Sequence, residues 1–191
     1  MPLSRRALVC ALAASSFALA AAPAQAQSVK IGIVGPFSGP FAHYGALFKA
    51  AAEAYVAGQG GKLGGREVEL IYRDTGGPNP AQTKSLVQEL IVKDKVDYLG
   101  GFVFTPNAMA VAPLIQQSQT PTVIFNAATS AITDKSEYFI RTSYTLWQVT
   151  VPLAQWAVKQ NLRKVVTAVT TLAMFCFAAH RASGTVTCHS V

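Results

Sequence analysis

The sequence predicts an α/β domain built on a doubly wound parallel sheet, and three observations support this prediction. Short apolar runs, such as residues 29–34, alternate with longer segments whose apolar residues recur at helical spacing. Turns rich in glycine and proline separate the two kinds of segment. Strands that alternate with helices in this way form parallel sheets, and right-handed crossovers place the helices on both faces.

The first elements are two strands with a helix between them. The run 29–34 stops at Gly35-Pro36 and predicts a buried strand. Residues 41–56 follow as a helix, because apolar side chains recur there every three or four positions. Residues 67–72 roughly alternate polar and apolar side chains, which suits a second strand.

A capping signal opens the next helix. Asn79 can accept a hydrogen bond from the helix backbone, Pro80 fits the first helical position, and Gln82 completes a capping box. The later strands continue the alternation and are predicted at 96–100, 122–125, 138–141 and 164–169.

Two further helices each contain a proline. The first is predicted at about 106–117 with Thr105 as its cap, and the second at 146–160. A proline inside a helix removes a backbone hydrogen bond, so Pro113 should kink or interrupt the first helix. Pro152 should kink the second helix or delay its start. The apolar candidates in the second helix are Trp147, Val151, Leu153, Trp156 and Val158.

Residues 1–26 predict an export signal. Arg5 and Arg6 form a basic start, residues 7–22 are an apolar run, and Ala24-Gln25-Ala26 fits the small-x-small cleavage rule. The run is shorter than the roughly 20 apolar residues that span a bilayer, which favours a cleaved signal over a membrane anchor. We therefore expect export to the periplasm. A twin-arginine signal is an alternative, but its motif is incomplete, so the general secretory route is favoured.

Charge and cysteine content argue against several classes of function. The formal net charge is +7, but lysine and arginine are scattered without a basic stripe or interleaved aromatic residues, which argues against nucleic-acid binding. Cys176, His180, Cys188 and His189 fit no common zinc motif, so we expect no metal and no cofactor. A disulfide between Cys176 and Cys188 after export remains open.

Three loops lie where ligands bind in such sheets, at the carboxyl ends of strands. These loops are 35–44, 102–107 and 126–133. In the third loop, the small residues Ala127 and Ala128 expose backbone groups and Thr129 adds a hydroxyl. Such a loop can hold a carboxylate through neutral donors.

The other two loops offer aromatic side chains. Thr105 lies at the mouth of a helix N-terminus with Phe104 beside it, and Tyr44 could supply an aromatic wall. Small residues and a threonine cap are also ordinary turn chemistry, so no single loop identifies a site by itself. The placement of the three loops on strand ends is what points to a ligand.

Five segments, taken in order, resemble the amino-terminal lobe of a type I periplasmic binding protein. They read VKIGIVGPFSGPFAHYG, GGREVELIYRDTGGPNPAQT, VDYLGGFVFTPNAMAVAP, TPTVIFNAATSAIT and YFIRTSY. These proteins are the solute receptors of ABC importers, and the similarity is to the branch with the Leu/Ile/Val-binding proteins. It covers about residues 29–170 and implies a first lobe at 27–142 and the start of a second lobe at 143–170.

The resemblance also implies how a ligand carboxylate would be held. Ala127 would give a backbone group, and Thr129 its amide and hydroxyl. The third position is a serine in the amino-acid receptors, whereas this chain has Phe104 there, with Thr105 able to supply a displaced hydroxyl. Tyr44 stands where the family often places an aromatic residue. Phe104 favours an apolar or aromatic acid.

The function implied is that of a solute-binding component for a small carboxylate, a branched-chain amino acid or an aromatic or apolar acid. Its implied partner is an inner-membrane ABC permease. A ligand-sensing receptor of the same fold is an alternative. A nucleotide-binding enzyme fits less well, because GPFSG is not G-x-G-x-x-G and Asp74 lies too far from Gly35 to serve as the ribose partner. His43 is the one histidine of the body, without a visible catalytic constellation, so we expect no enzyme.

The last residues depart from the family pattern. Residues 171–191 contain no acidic residue and resemble nothing in the family, so we expect a reading frame lost near Thr170 and a truncated receptor. Such a product would leave a sheet edge unpaired and would bind its ligand weakly or not at all, because the opposite jaw is missing.

Overall fold

The computed structural model describes residues 28–162 together with 177–180 and 186–189. The predicted export signal at 1–26, the predicted strand at 164–169 and Cys176 lie outside the described residues, as does most of the tail.

The core of the structure is a six-stranded sheet. Its strands are β1 (Val29–Gly35), β2 (Lys62–Leu63), β3 (Arg66–Asp74), β4 (Tyr98–Gly101), β5 (Thr122–Ile124) and β6 (Phe139–Arg141). The spatial order is β2-β3-β1-β4-β5-β6, and every neighbouring pair is parallel except β2 and β3. A separate antiparallel pair consists of β7 (Phe177–His180) and β8 (Val186–His189).

Four α-helices connect or follow the strands of the six-stranded sheet. They are α1 (Ala42–Gly58), α2 (Pro80–Glu89), α3 (Thr105–Ser118) and α4 (Leu146–Lys159). Shorter turns precede α1 (Gly39–Phe41), extend α2 as a π-helix (Leu90–Asp94) and follow β5 (Ser130–Lys135). Among the described residues, no helix combines the length and the apolar character needed to cross a membrane.

Helices cover both faces of the sheet, so the doubly wound architecture is confirmed. Gly32 faces the π-helix that extends α2, since a Cβ atom there would lie 3.1 Å from Leu90. Gly35 faces α1, because its Cβ would lie 3.3 Å from Phe48. The two glycines are an odd number of residues apart and therefore point to opposite faces of β1. The ring of Phe48 in turn packs edge-on against Phe125, with centroids 5.0 Å apart.

The buried core lies mainly between the sheet and the helices α2 and α3. Its fully buried members include Val34, Val87, Leu90, Leu99, Val111, Ile115 and Ile124. Most of these residues come from the elements that the apolar periodicity predicted. The helix α4 contributes little, because among the described residues only Ala154 of α4 is buried, while Trp147, Leu153 and Trp156 are more than half exposed.

The capping predictions were partly right. Asn79 caps α2 by accepting a hydrogen bond from the Gln82 amide, with Pro80 in the first turn. In a capping box, the Gln82 side chain would also accept a hydrogen bond from the Asn79 backbone amide. Here it instead accepts from the Asn79 side chain and donates to the Asp74 carbonyl. The prediction that Thr105 caps α3 is wrong. Thr105 is the first residue of the helix, and Phe104 occupies the cap position.

Both internal prolines lie within continuous helices. Pro113 lies inside α3 and Pro152 inside α4, and neither helix is interrupted or delayed as the sequence suggested it could be. Pro113 is on an exposed face, so its ring projects away from the core. The start of α4 is set by Thr145, which forms a complete capping box with Gln148.

Candidate functional site

The candidate site lies at the carboxyl ends of β1, β4 and β5. These strands are adjacent or nearly so in the sheet, so the loops that leave them meet at one edge. Backbone hydrogen bonds join the strand ends there. The Phe102 amide donates to the Val34 carbonyl at 2.9 Å, and the Ala127 amide donates to the Phe102 carbonyl at 3.0 Å. The three strand ends are therefore tied together by backbone hydrogen bonds.

Asp74 holds the loop that follows β1. Its Oδ1 atom accepts hydrogen bonds from the amides of Phe37 (2.7 Å), Ser38 (3.3 Å) and Gly76 (2.8 Å). Partial burial alone raises the pKa of this carboxyl, but the bonds from the Ser38 side chain and from these amides outweigh it, and the pKa of Asp74 is lower than usual. The carboxylate thus fixes the path of the chain into α1.

Asp74 should stabilise the fold only while it is ionised. Because its pKa is lowered on folding, its contribution is complete above the unfolded value of 3.8 and is lost as the pH falls through the folded value. We expect Asp74→Asn to reduce the urea midpoint at pH 7, and the gap from the unmodified protein to close below about pH 4. Asp134→Asn, at an exposed position, is the matched control. A gap that stays constant with pH would contradict this role.

Two threonine hydroxyls meet between the second and third loops. The Oγ1 atoms of Thr105 and Thr129 are 2.9 Å apart and share one hydrogen bond. Thr105 opens α3, and the residue before it, Phe104, provides no side-chain cap. The hydroxyl pair therefore lies beside a helix N-terminus whose first amides lack a side-chain acceptor at the cap position.

Asn107 fastens this helix start to the neighbouring turn. It is 2% exposed, and its Nδ2 atom donates to the Gly77 carbonyl at 3.0 Å. The amide of Thr75, two residues earlier, donates to the Gly35 carbonyl. The first turn of α3 is thus connected through the turn after β3 to the end of β1.

The predicted aromatic residues occupy different surroundings. Phe104 is 7% exposed and packs edge-on against Phe41, with ring centroids 5.2 Å apart. Tyr44 is half-buried on α1, and its ring lies 4.1 Å from that of His43. Phe104 lies next to the threonine pair, because Thr105 follows it in the chain. Tyr44, by contrast, has its ring contact with His43.

The small residues of the third loop use their backbone groups internally. The Ala127 amide is bonded to the Phe102 carbonyl, and the Ala128 carbonyl accepts from the Leu146 amide at 2.9 Å. The backbone group expected from Ala127 is thus not its N–H. The Thr129 hydroxyl, which lies beside that of Thr105, remains a candidate group for a ligand.

Sequence reasoning missed Arg141. This residue ends β6, and its guanidinium donates to the carbonyl oxygens of the third loop, at 2.6 Å from Thr129, 3.4 Å from Ala127 and 3.5 Å from Ser130. The sequence signal for it was an arginine at the end of the strand that follows the third loop. Its importance depends on the pairing of β5 with β6, which sets Ile124 opposite Arg141.

The combined chemistry would suit an anionic ligand. Two hydroxyls, a helix N-terminus and a nearby cation all favour negative charge. Within the described residues, no group of histidine, cysteine and acidic side chains could hold a metal ion.

Comparison with known proteins is consistent with this geometry. Residues 28–182 match the sequence profile of the family described as periplasmic binding protein. A Leu/Ile/Val-binding protein homolog 6 from Brucella abortus (strain 2308) is 52% identical over 153 residues. That stretch is 80% of this chain but 39% of the relative, so the chain spans about two fifths of the relative's length.

Solved structures of solute-binding proteins show the same fold. One from R. palustris, in complex with 4-hydroxybenzoate, is 54% identical with a TM-score of 0.67, over 70% of this chain and 36% of that one. Another from Rhodopseudomonas palustris BisB5, in complex with 3,4-dihydroxy benzoic acid, is 38% identical with a TM-score of 0.68, over 71% of this chain and 37% of that one. The six-stranded sheet corresponds to one lobe of such proteins, and the chain belongs to the periplasmic binding protein family.

Proposed function

We propose that this chain forms the carboxylate-binding lobe of an exported solute receptor for an ABC importer, and that its ligand is an aromatic acid of the benzoate class. The observation that carries the proposal is the hydroxyl pair of Thr105 and Thr129, 2.9 Å apart at the N-terminus of α3 and next to Phe104. Export through the signal at 1–26 and recognition by an inner-membrane permease belong to the same proposal.

The carboxylate end of the ligand is supported by donor chemistry. While the two hydroxyls share their hydrogen bond, one of their two protons remains available to donate to an anion, since a threonine hydroxyl both donates and accepts. The first amides of α3 lie at the same helix N-terminus as Thr105 and carry the positive end of the helix dipole. A hydrogen bond to a charged group contributes about 1.5–3 kcal/mol, so two or three such donors suffice for a specific anchor.

The aromatic end of the ligand is supported by the side chains around the anchor. Phe104 and Phe41 form an edge-to-face pair beside the threonines, and a third ring extends such a cluster favourably. Asp74, the carboxylate at the end of β3, accepts from three amides and so offers a ligand ammonium group little. The benzoate-type ligands of the two relatives from Rhodopseudomonas are consistent with this reading.

A branched-chain amino acid is the second candidate. The name of the Brucella relative, at 52% identity, favours it. Both candidates share the carboxylate, and they differ in the ammonium group and in the shape of the apolar part.

Titration distinguishes the two ligand classes. We expect 4-hydroxybenzoate and benzoate to bind at least about tenfold tighter than leucine, a difference of about 1.4 kcal/mol. Ligand-observed NMR on the exported protein suits the measurement, because it detects weak as well as tight binding. Benzyl alcohol, which keeps the ring and lacks the carboxylate, is the control and should bind far more weakly. Tighter binding of leucine than of either benzoate would overturn the proposed ligand.

A further inference from the structure

Arg141 is a cation at the end of β6 that contacts the third loop, and among the described residues it has no acidic partner. No carboxylate among the described residues forms a salt bridge with it, whereas Arg73 pairs with Asp94 at 2.6 Å. Its side chain is half-buried, and the partners of its guanidinium among the described residues are carbonyl oxygens. Carbonyl oxygens satisfy hydrogen bonds but leave the unit positive charge in place, so this corner of the site carries a positive potential.

The bonds of Arg141 reach three residues of the third loop, and one of these residues, Thr129, belongs to the hydroxyl pair. The shortest, at 2.6 Å, is to the carbonyl of Thr129, whose hydroxyl meets that of Thr105. The guanidinium is a planar fork with fixed donor directions, and here it spans the carbonyls of Ala127, Thr129 and Ser130. A single side chain therefore both holds the loop in shape and brings the charge close to the Thr129 hydroxyl.

A buried or half-buried cation without a counterion is costly unless something compensates it. Three carbonyls compensate Arg141 in part, and an anionic ligand at the hydroxyl pair would complete the compensation. The same loop built to bind a neutral molecule would gain nothing from this charge, and a neutral side chain could bridge the carbonyls at lower cost.

We propose that Arg141 is the positioning residue that makes this site select an anionic carboxylate over its neutral analogue. It acts through the loop 127–130: it orients Thr129 and supplies the positive charge that the ligand neutralises. This inference rests on the proposed function, because it assigns a role within the same site.

The test compares an acid with its amide. We expect Arg141→Gln to weaken binding of 4-hydroxybenzoate by about tenfold or more while changing binding of 4-hydroxybenzamide by less than about threefold. Arg141→Lys keeps the charge and loses the fork, so it should retain most of the preference for the acid and lower the affinity for either ligand by less than about threefold. Lys62→Gln removes an equal charge at β2, the opposite edge of the sheet, and should alter neither ligand.

The outcomes separate a charge role from a purely structural one. Equal weakening of acid and amide by Arg141→Gln, or no weakening of either, would overturn the inference. If Arg141→Gln fails to fold, the ionic strength dependence of the unmodified protein decides: binding of the acid should weaken with salt more steeply than binding of the amide. Equal salt dependence would overturn the inference as well.

Failure of the proposed ligand is visible separately. If the unmodified protein binds leucine in preference to benzoates, the proposed function fails. The role of Arg141 is then tested by comparing the binding of leucine and leucinamide in the same variants. If it binds neither the benzoates nor leucine, both the proposed function and the role of Arg141 are overturned.

Discussion

Gly101→Ala should destabilise the domain by roughly 3 kcal/mol or more, the largest effect on stability that we expect from adding one methyl group. A Cβ atom at Gly101 would lie on the Val34 carbonyl, 2.0 Å from its oxygen and 2.9 Å from its carbon. Gly101 also has a φ of +114°, a backbone conformation that residues with a side chain rarely adopt. Backbone on the neighbouring strand β1 cannot move aside without breaking the bond from the Phe102 amide to the Val34 carbonyl.

Urea unfolding at neutral pH measures this effect, with Gly58→Ala as the matched control. A Cβ atom at Gly58 would meet nothing within 4 Å, and alanine is favoured over glycine in a helix by about 0.5–1 kcal/mol. The two variants should therefore move the urea midpoint in opposite directions. Equal midpoints for Gly101→Ala and Gly58→Ala would contradict the close contact between Gly101 at the end of β4 and the Val34 carbonyl of β1.

Loss of the threonine hydroxyls should have the largest effect on binding. Thr129→Val removes one hydroxyl and leaves the shape nearly unchanged, and we expect it to weaken binding of 4-hydroxybenzoate about tenfold or more, since a hydrogen bond to a charged group contributes about 1.5–3 kcal/mol. Thr105→Val should have a similar effect. The double variant should lose less than the sum, because the two hydroxyls share a hydrogen bond and act as one anchor.

Thr150→Val is the control for this pair of substitutions. Its hydroxyl donates to the Leu146 carbonyl within α4 and takes no part in the Thr105–Thr129 pair, so binding should be unchanged. Binding constants are measured by NMR titration, and urea midpoints of the variants confirm that they fold. Strictly additive losses in the double variant would contradict a shared anchor, and unchanged binding in Thr129→Val would remove that residue from the site.

Patterns local in the sequence predicted most of the fold. Strands β1, β3 and β4 were found because each is a short run bounded by glycine, proline or acidic turns, and their observed bounds differ from the predicted ones by one or two residues. The Asn79 cap was found for the same reason, as its partner lies three residues away.

The errors concern contacts between distant parts of the chain. Thr105 was predicted to cap α3, but its hydroxyl instead bonds Thr129, 24 residues away. Arg141 was missed because its three carbonyl partners become neighbours only through the pairing of β5 with β6. Neither contact leaves a trace in residue spacing, since both depend on tertiary structure.

A crystal structure of the protein with 4-hydroxybenzoate would show whether the carboxylate binds at the threonine pair. We predict a carboxylate oxygen within about 3 Å of the Thr129 hydroxyl, at the N-terminus of α3, with the aromatic ring against Phe104. A carboxylate bound away from both threonines, or a ring that points away from Phe104, would contradict the account.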